Sequence, residues 1–554
     1  MKQNKFIITI LLSVVLFGSC EDFLSETPMD QILPEEAYSD PTLIYLNSVA
    51  NLYTLVGAEG GNRGLAGTDR SVYDLCELSS DEFITPTRGG DWYDGGLWQE
   101  LYTTNWQTTN GLIKDSWNYL YEVVGKINAS VDLLTELKGK DSENAENYNI
   151  FISELRAFRA MYYFYLVDMY GNVPLVVSSK TPIVEVSQSS RKDIFEFIVK
   201  ELQESAPLLA NEKSNKEGLY YGRITKPVAY FLLAKVALNA QVYNDTDYTD
   251  NGGIPNGAAT IKRDGKDVSA WDAVIDYCDS VADAGYKLEP NYSDNFKVGN
   301  EVSEENIFTI PMDPVKYKTQ FMYNVRSMHY AHAEACGYQG WNGSSLTSEA
   351  FEIFKNSKNT YGDTRLDKSF YYGEVFGPDN KPIMVTVTKD DKETQIPLVY
   401  APDKIALDVS GEEFEKTAGA RWRKYELDPG YAGGGMLVSN DFVLFRYADV
   451  LLMKAEAKIR KGESGLEELK IVAKRSSSTK YDTVTNPTLE DVLDERLLEL
   501  SWEGIIRRND IIRFGKFTKA ITDRPAPDAY KIVFPIPDEA LKANLNLKQN
   551  KGYN

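Results

Sequence analysis

The sequence predicts a mainly α-helical protein, in which a scaffold of tetratricopeptide-like helices supports a large second region rich in loops. Apolar residues recur three and four positions apart over much of the chain, as they do along one face of a helix. Small and aromatic residues are mixed on these faces, which favours helix pairs stacked like tetratricopeptide repeats, although no fixed repeat period is legible. Long stretches rich in Gly, Asn, Asp, Tyr and Trp separate the helical segments.

The individual helices are predicted from apolar spacing and from the residues that end them. One face steps by four and three from Phe151 to Met169, and Gly171 stops it. Thr225 is a plausible N-cap for a helix that has Pro227 in its first turn. The same spacing predicts further helices at about 112–138, 192–206 and 271–284, from Phe445 to Ala455, and from Leu493 to Gly504.

The rest of the chain is predicted to form long loops. We expect scaffold helices at about 111–285 and 442–506, and ligand-facing loops at about 57–110 and 286–441. Loops of this length are uncommon in compact domains unless they have a task, and binding residues are often held on loops by a rigid scaffold. This layout favours a binding protein.

The N-terminus has the pattern of an export signal that ends in a lipidation site. Two lysines precede the apolar run Phe6–Phe17, which is shorter than the ~20 residues that a bilayer-spanning helix needs. Two small residues then precede Cys20, where cleavage and lipid attachment are expected. We predict a signal peptide at 1–19, a lipidated tether at 20–40 and one domain at 41–554. The alternative is an ordinary cleaved signal followed by a chance cysteine.

Composition and charge narrow the class of protein. The chain has 554 residues, enough for a large core, and its formal net charge is −22. Such an acidic surface repels phosphate backbones, which argues against nucleic acid as a partner. Cys76, Cys278 and Cys336 are widely spaced and form no C-x-x-C motif, which excludes a metal ribbon. They leave two alternatives, a single disulfide bridge or three buried thiols.

Several blocks of the sequence resemble the SusD/RagB family, and they occur in that family's order. The blocks are Cys20–Leu24, Arg156–Leu175, Phe445–Ala457, Glu495–Gly504, Arg508–Gly515, Phe534–Pro537 and Asn546–Tyr553. The resemblance implies about four tetratricopeptide-like helix pairs with a looped second region packed on them.

The resemblance also implies a function. Members of this family are nutrient-binding lipoproteins of the outer membrane, usually specific for glycans, that sit as a lid on a SusC-like TonB-dependent transporter. The expected partners are therefore an oligo- or polysaccharide, that transporter, and the membrane through the lipid on Cys20. The protein is expected to face the cell exterior, to be no enzyme, and to need no cofactor besides the lipid.

Two loops carry side chains that suit a sugar. Neutral sugars present hydroxyls and C–H patches, so a site for them needs aromatic faces flanked by short polar side chains. Such residues cluster in loops 88–98 and 337–343, the two regions in which family members place glycan-binding aromatics. The candidates are Asp91, Trp92, Tyr93, Trp98, Tyr338, Trp341 and Asn342, with Asp69 and Arg70 as secondary candidates and Tyr317 and Tyr323 as weaker ones.

The same aromatic rings could instead pin the loops to the helical core. We prefer that interpretation for Trp117, Trp271 and Trp502, which follow helical spacing. A peptide-binding or purely structural lid is the main functional alternative. It predicts that Trp92, Trp98 and Trp341 do not converge.

Catalytic and metal sites have weaker support. A glycoside hydrolase needs two carboxylates at a fixed separation, and none of the 82 acidic residues is singled out. His329 and His332 lack a third metal ligand, so we expect surface or loop histidines. The acidic segment Asp245–Gly252 could hold calcium, but Asn256 replaces the glutamate that ends an EF-hand loop. An ordinary polar turn is the preferred interpretation there.

Overall fold

The computed structural model describes residues 40–57, 63–67, 70, 72–250, 255–389 and 392–553. The α-helices of these residues, in chain order, are α1 (Pro41–Ser48), α2 (Val72–Leu78), α3 (Leu97–Tyr102), α4 (Gly111–Lys140), α5 (Ala145–Tyr170), α6 (Arg191–Ser205), α7 (Lys226–Leu238), α8 (Ala240–Tyr243), α9 (Ala270–Asp283), α10 (Tyr323–Ser327), α11 (Tyr330–Ala335), α12 (Ser348–Tyr361), α13 (Arg365–Ser369), α14 (Tyr447–Arg460), α15 (Leu466–Arg475), α16 (Leu489–Leu500), α17 (Arg507–Arg513) and α18 (Asp538–Ala543).

The strands of the described residues are short and pair two by two. In chain order they are β1 (Phe83–Ile84), β2 (Val173–Pro174), β3 (Gln188–Ser189), β4 (Thr260–Arg263), β5 (Lys266–Ser269), β6 (Asn306–Ile310), β7 (Ser345–Leu346), β8 (Phe370–Tyr371), β9 (Gly373–Glu374), β10 (Met384–Lys389), β11 (Lys392–Pro397), β12 (Val399–Tyr400), β13 (Arg421–Trp422) and β14 (Phe442–Arg446). The antiparallel pairs are β1–β7, β2–β3, β4–β5, β6–β14, β8–β13, β9–β12 and β10–β11.

The chain divides into an N-terminal unit that ends at Ala50 and a larger unit from Asn51 onward. In the first unit, Asp40 caps α1 by accepting hydrogen bonds from the amides of Thr42 and Leu43. Such a cap satisfies backbone donors that have no partner within the helix.

Stacked helices form the scaffold of the larger unit. Helix α4 packs along α5, α5 along α6, α6 along α7, α7 along α9 and α9 along α14, which also contacts α15 and α16. Contacts that run from each helix to its neighbours are typical of helical-repeat proteins, so the predicted mainly helical, tetratricopeptide-like scaffold is confirmed. Helix α9 ends at Asp283 and α14 begins at Tyr447, so a loop-rich region is inserted between two helices that pack together.

Helix α5 lies within the stack, between α4 and α6. Nearly every residue from Ser153 to Tyr170 is buried, because this helix has neighbours on more than one side. Gly171 ends the helix in the left-handed region, with φ of 68°, as its position in the sequence predicts.

A buried network of charges fixes the loop-rich region on the scaffold. Arg446, at the end of β14, donates to carboxylates of Glu305, Glu499 and Glu503 at 2.5–2.7 Å. Arg365 of α13 contacts Glu499 at 3.0 Å, and Arg475 of α15 pairs with both Glu305 and Glu499. All of these side chains are at most 3 % exposed. The network therefore joins five segments of the chain, around residues 305, 365, 446, 475 and 499–503.

The arginines keep this network ionised. Burial alone would raise the pKa of Glu499, but Arg475, Arg446 and Arg365 hold it well below its ordinary value. A buried carboxylate without these cations would be costly, because transfer of an isolated charge out of water is strongly unfavourable.

The described cysteines are thiols. Cys76 and Cys278 are buried, Cys336 is half-buried, and none of the three forms a disulfide. Burial raises the pKa of each thiol, so all three remain protonated at neutral pH. In the described ranges, no helix is both long and apolar enough to cross a membrane.

Candidate functional site

The two loops predicted to carry ligand contacts lie against each other. Nε1 of Trp92 donates to the carbonyl oxygen of Trp341 at 2.9 Å. A Cβ added to Gly343 would lie 2.5 Å from the Trp92 ring, so the ring rests directly on the backbone of the second loop. Loop 88–98 and loop 337–343 therefore form one surface, which we name the aromatic cluster after Trp92, Tyr93, Trp341 and the neighbouring Tyr330.

Trp98 supports the aromatic cluster from below. Its ring forms an edge-to-face pair with Trp92 at a centroid distance of 5.6 Å, and it is 1 % exposed. Its Nε1 donates to Asp94 at 2.8 Å, and Asp94 also pairs with Arg70 at 3.0 Å. The Arg70 guanidinium lies 5.7 Å from the Trp98 ring, so this cation closes the outer side of the pair.

Asp91 presents a charged acceptor at the edge of the aromatic cluster. It accepts a hydrogen bond from the Tyr330 hydroxyl at 2.6 Å and lies 3.4 Å from Nζ of Lys416. The Tyr330 hydroxyl, aided by Lys416, lowers the pKa of this carboxyl below its ordinary value. Asp91 is therefore ionised at neutral pH, and its half-exposed side chain can accept hydrogen bonds from hydroxyl groups.

A buried arginine ties the two loops together from behind. Arg88 is fully buried, and its guanidinium donates to Ser345 Oγ at 3.0 Å and to the carbonyl oxygen of Ala418 at 2.9 Å, with a longer contact to Gly343. The amide of Gly343 donates to the carbonyl oxygen of Arg326 at 2.7 Å. Backbone and side-chain bonds thus hold the surface in a fixed conformation before any ligand arrives.

The structure separates the predicted site residues into an exposed group and a buried group. Tyr93 is 59 % exposed, and Trp92, Trp341, Asp91 and Arg70 are half-exposed, so these five can meet a ligand. The expectation that Trp98, Tyr338 and Asn342 also contact it is corrected, because they are 1 %, 5 % and 0 % exposed.

Tyr338 and Asn342 form hydrogen bonds inside the protein, although Nδ2 of Asn342 is buried without a partner among the described residues. The Tyr338 hydroxyl donates to the carbonyl oxygen of Asp428 at 3.0 Å, and Oδ1 of Asn342 accepts from Arg421 at 3.0 Å. Of the weaker candidates, Tyr323 is buried, whereas Tyr317 is 41 % exposed. Asp69 and Cys20 lie outside the described residues. Two residues at the site, Tyr330 and Lys416, were not predicted from the sequence, and they lie 239 and 325 positions from Asp91.

Both histidines are buried, which corrects the expectation of surface residues, although His329 is a loop residue at the N-cap of α11. His329 is 8 % and His332 is 1 % exposed. Nδ1 of His329 accepts the amide of Ala331 at 3.1 Å and so caps α11, and His332 lies 3.0 Å from the Tyr400 hydroxyl. No group of three potential metal-ligating side chains occurs within the described ranges.

Acidification should destabilise the region around α11. Burial lowers the pKa of both His329 and His332 from 6.5 to about 4. Because the unfolded chain takes up these protons below pH 6.5 and the folded chain does not, this contribution to stability is complete above pH 6.5 and is lost as the pH falls towards 4. Between about pH 7 and pH 4.5, we expect the free energy of unfolding to fall by roughly 2–3 kcal/mol more in the wild type than in the His332→Asn variant.

Urea denaturation at both pH values measures this difference. The asparagine retains a polar group beside Tyr400 but cannot titrate, so it serves as the matched control. The same pH dependence in both proteins would contradict the assignment of a neutral, buried His332.

The acidic segment after α8 forms internal turns in its described part. Asp245 accepts from the amide of Asp247 at 2.9 Å, and Asp247 accepts from the amide and hydroxyl of Thr249 at 3.1 and 2.5 Å. These bonds are those of a polar turn.

The fold and the site define a class of protein, a binding protein built on stacked helices, in which loop 88–98 and the inserted loop-rich region together form an aromatic surface. Two family models match the chain: "SusD family" over residues 304–553 and "Starch-binding associating with outer membrane" over residues 73–238. The chain belongs to the SusD family.

Relatives and solved structures agree with this assignment. The chain is 24 % identical over 534 residues to the starch-binding protein SusD of Bacteroides thetaiotaomicron, a match that covers 89 % of this chain and 87 % of that protein. A laminarin-binding SusD-like protein has a similar fold, with a TM-score of 0.67, 20 % identity, and coverage of 92 % of this chain and 99 % of the other. Surface glycan-binding protein A of Bacteroides thetaiotaomicron in complex with laminarihexaose gives a TM-score of 0.65 at 20 % identity, covering 92 % and 98 %.

Proposed function

We propose that this chain is a non-catalytic glycan-binding lipoprotein of the outer membrane. It captures oligo- or polysaccharide at the cell surface and delivers it to a SusC-like TonB-dependent transporter, on which it acts as a lid. The lipid on Cys20 is its membrane anchor. The convergence of two distant loops into the half-exposed aromatic cluster is the observation that carries this proposal.

The chemistry of the aromatic cluster suits neutral sugars. The rings of Trp92, Tyr93 and Trp341 offer flat apolar faces on which the C–H groups of a sugar can pack. Asp91 and the hydroxyl of Tyr330 supply hydrogen-bonding groups at the border. A few fixed polar groups around an apolar surface are what orient a small ligand.

The names of the relatives support the same ligand class. Starch and laminarin, which those names mention, are both neutral glucans, and the second family model carries an association with the outer membrane in its description.

Two alternatives are disfavoured by specific observations. A structural or peptide-binding lid predicts no convergence of the loop tryptophans, yet the Trp92 ring packs on Trp98 and donates to the backbone carbonyl of Trp341. A glycoside hydrolase needs a protonated carboxylic acid beside an ionised carboxylate, and Asp91, whose pKa is lowered, does not supply the acid.

Titration of the full-length chain tests the proposal. The detergent-solubilised protein is applied to an array of neutral and charged oligosaccharides, and hits are titrated by calorimetry. We expect saturable binding of neutral glycans with no release of shorter products on long incubation. Binding of no glycan on the array would overturn the proposed ligand class, and cleavage of a hit would overturn the non-catalytic assignment.

A further inference from the structure

A second concave surface lies between helix α11 and the turn formed by residues 376–384. This groove has a volume of about 570 Å³. Small-ligand sites commonly enclose roughly 300–1,000 Å³, so the groove has room for a ligand. We name it the α11 groove. Its walls include Ala331, Glu334 and Ala335 from the helix and Asp379, Lys381 and Met384 from the turn.

The turn that forms one wall is well ordered by its own hydrogen bonds. The amide of Gly377 donates to the carbonyl oxygen of Lys381 at 2.9 Å, and the amide of Asn380 donates back to Gly377 at 2.9 Å. A Cβ added to Gly377 would lie 3.9 Å from that of Ala335, so the turn and the helix approach each other at this end. The groove is therefore formed in the absence of ligand.

Helix α11 connects this groove to the aromatic cluster. Tyr330 begins the helix and donates to Asp91, while Ala331, the next residue, already lines the groove. Tyr330 and Glu334 are four positions apart, which places them on the same helix face, and both are exposed. A chain bound at the aromatic cluster can thus continue along one exposed helix face into the groove.

The lining of the groove suits a neutral sugar chain. Ala331, Ala335 and the 44 % exposed Met384 provide apolar contacts. The carboxylates of Glu334 and Asp379 accept hydrogen bonds from hydroxyls, and Lys381, which pairs with Asp379 at 3.0 Å, donates them. Two carboxylates against one ammonium disfavour uronates and sulfated sugars, because like charges repel.

We propose that the α11 groove binds further units of a neutral oligosaccharide whose first units occupy the aromatic cluster. The groove thereby makes affinity rise with chain length. This inference rests on the proposed function, since it assumes that the aromatic cluster holds the first units. Binding through two connected surfaces needs no second loss of translational freedom, so additional contacts strengthen the complex.

Graded oligosaccharides test the inference. Malto- and laminari-oligosaccharides from disaccharide to octasaccharide, together with the neutral series found on the array, are titrated into the full-length protein. We expect wild-type affinity to rise by about tenfold or more from the shortest bound member to the longest. Ala335→Trp, which fills the groove, should remove this gain and leave the shortest member unchanged. Asn359→Trp, on an exposed position of α12, is the matched control.

The possible outcomes distinguish a failure of the groove proposal from a failure of the proposed function. Affinity that does not depend on length in the wild type, or a length dependence that persists in Ala335→Trp, overturns the role of the groove while the proposed function stands. Binding of no neutral oligosaccharide by the wild type overturns both. Glu334→Ala, an exposed substitution, gives an independent measurement if Ala335→Trp disturbs folding, and it should reduce the gain with length.

Discussion

Replacement of Arg446 by methionine is expected to lower the free energy of unfolding by about 3–5 kcal/mol, because three buried carboxylates lose a shared cation. Methionine keeps much of the side-chain volume, so the loss reports the charge rather than a cavity. Glu305, Glu499 and Glu503 all accept from this guanidinium, and each is at most 2 % exposed. Urea denaturation followed by tryptophan fluorescence measures the change.

Arg423→Met is the matched control for this experiment. Arg423 is exposed and donates to the carbonyl oxygen of Asp367 at 2.9 Å, so its loss should cost at most about 1 kcal/mol. A destabilisation by Arg446→Met no larger than that of Arg423→Met would mean that the buried network does not hold the loop-rich region on the scaffold.

Replacement of Trp92 by alanine is expected to weaken glycan binding by about 2 kcal/mol or more, roughly thirtyfold, as for other central aromatic contacts. The ring has an exposed part for the ligand and is held by Trp98 and by the carbonyl oxygen of Trp341. Its removal therefore eliminates a prepositioned surface. Calorimetric titration with the hits from the array measures the loss.

A second variant moves the ring without removing it. An alanine at Gly343 places a methyl group 2.5 Å from the Trp92 ring, so the ring must shift. We expect Gly343→Ala to weaken binding in the same direction although residue 343 is buried. Tyr230→Ala is the matched control, because Tyr230 is a half-buried ring stacked on Tyr277 in the scaffold. Equal glycan affinities of the Trp92→Ala and Tyr230→Ala variants would show that Trp92 does not contribute to binding.

The scaffold could be predicted because short segments of sequence determine each of its helices. Spacing from Phe151 to Met169, with Gly171 as the terminator, predicts α5, and the structure has that helix at Ala145–Tyr170. A helix needs one apolar face and suitable ends, and about twenty consecutive residues determine both.

The site could be predicted only in part because exposure is not a local property. Trp92 and Trp98 lie six positions apart in the sequence, yet Trp92 is a half-exposed loop residue, whereas Trp98 lies in α3 and is buried. Tyr330 has no motif around it that points to Asp91. Its role follows from chain topology, which brings together segments hundreds of residues apart.

The insertion of the loop-rich region between α9 and α14 has an evolutionary consequence. Because these two helices pack together, the inserted segment starts and ends at neighbouring points of a rigid frame. The entropy of closing such a segment grows only slowly with its length, so residues can be gained or lost within it at small thermodynamic cost. The part of the ligand surface that lies in this segment, with Tyr330 and Trp341, can therefore change while the stacked helices remain unaltered.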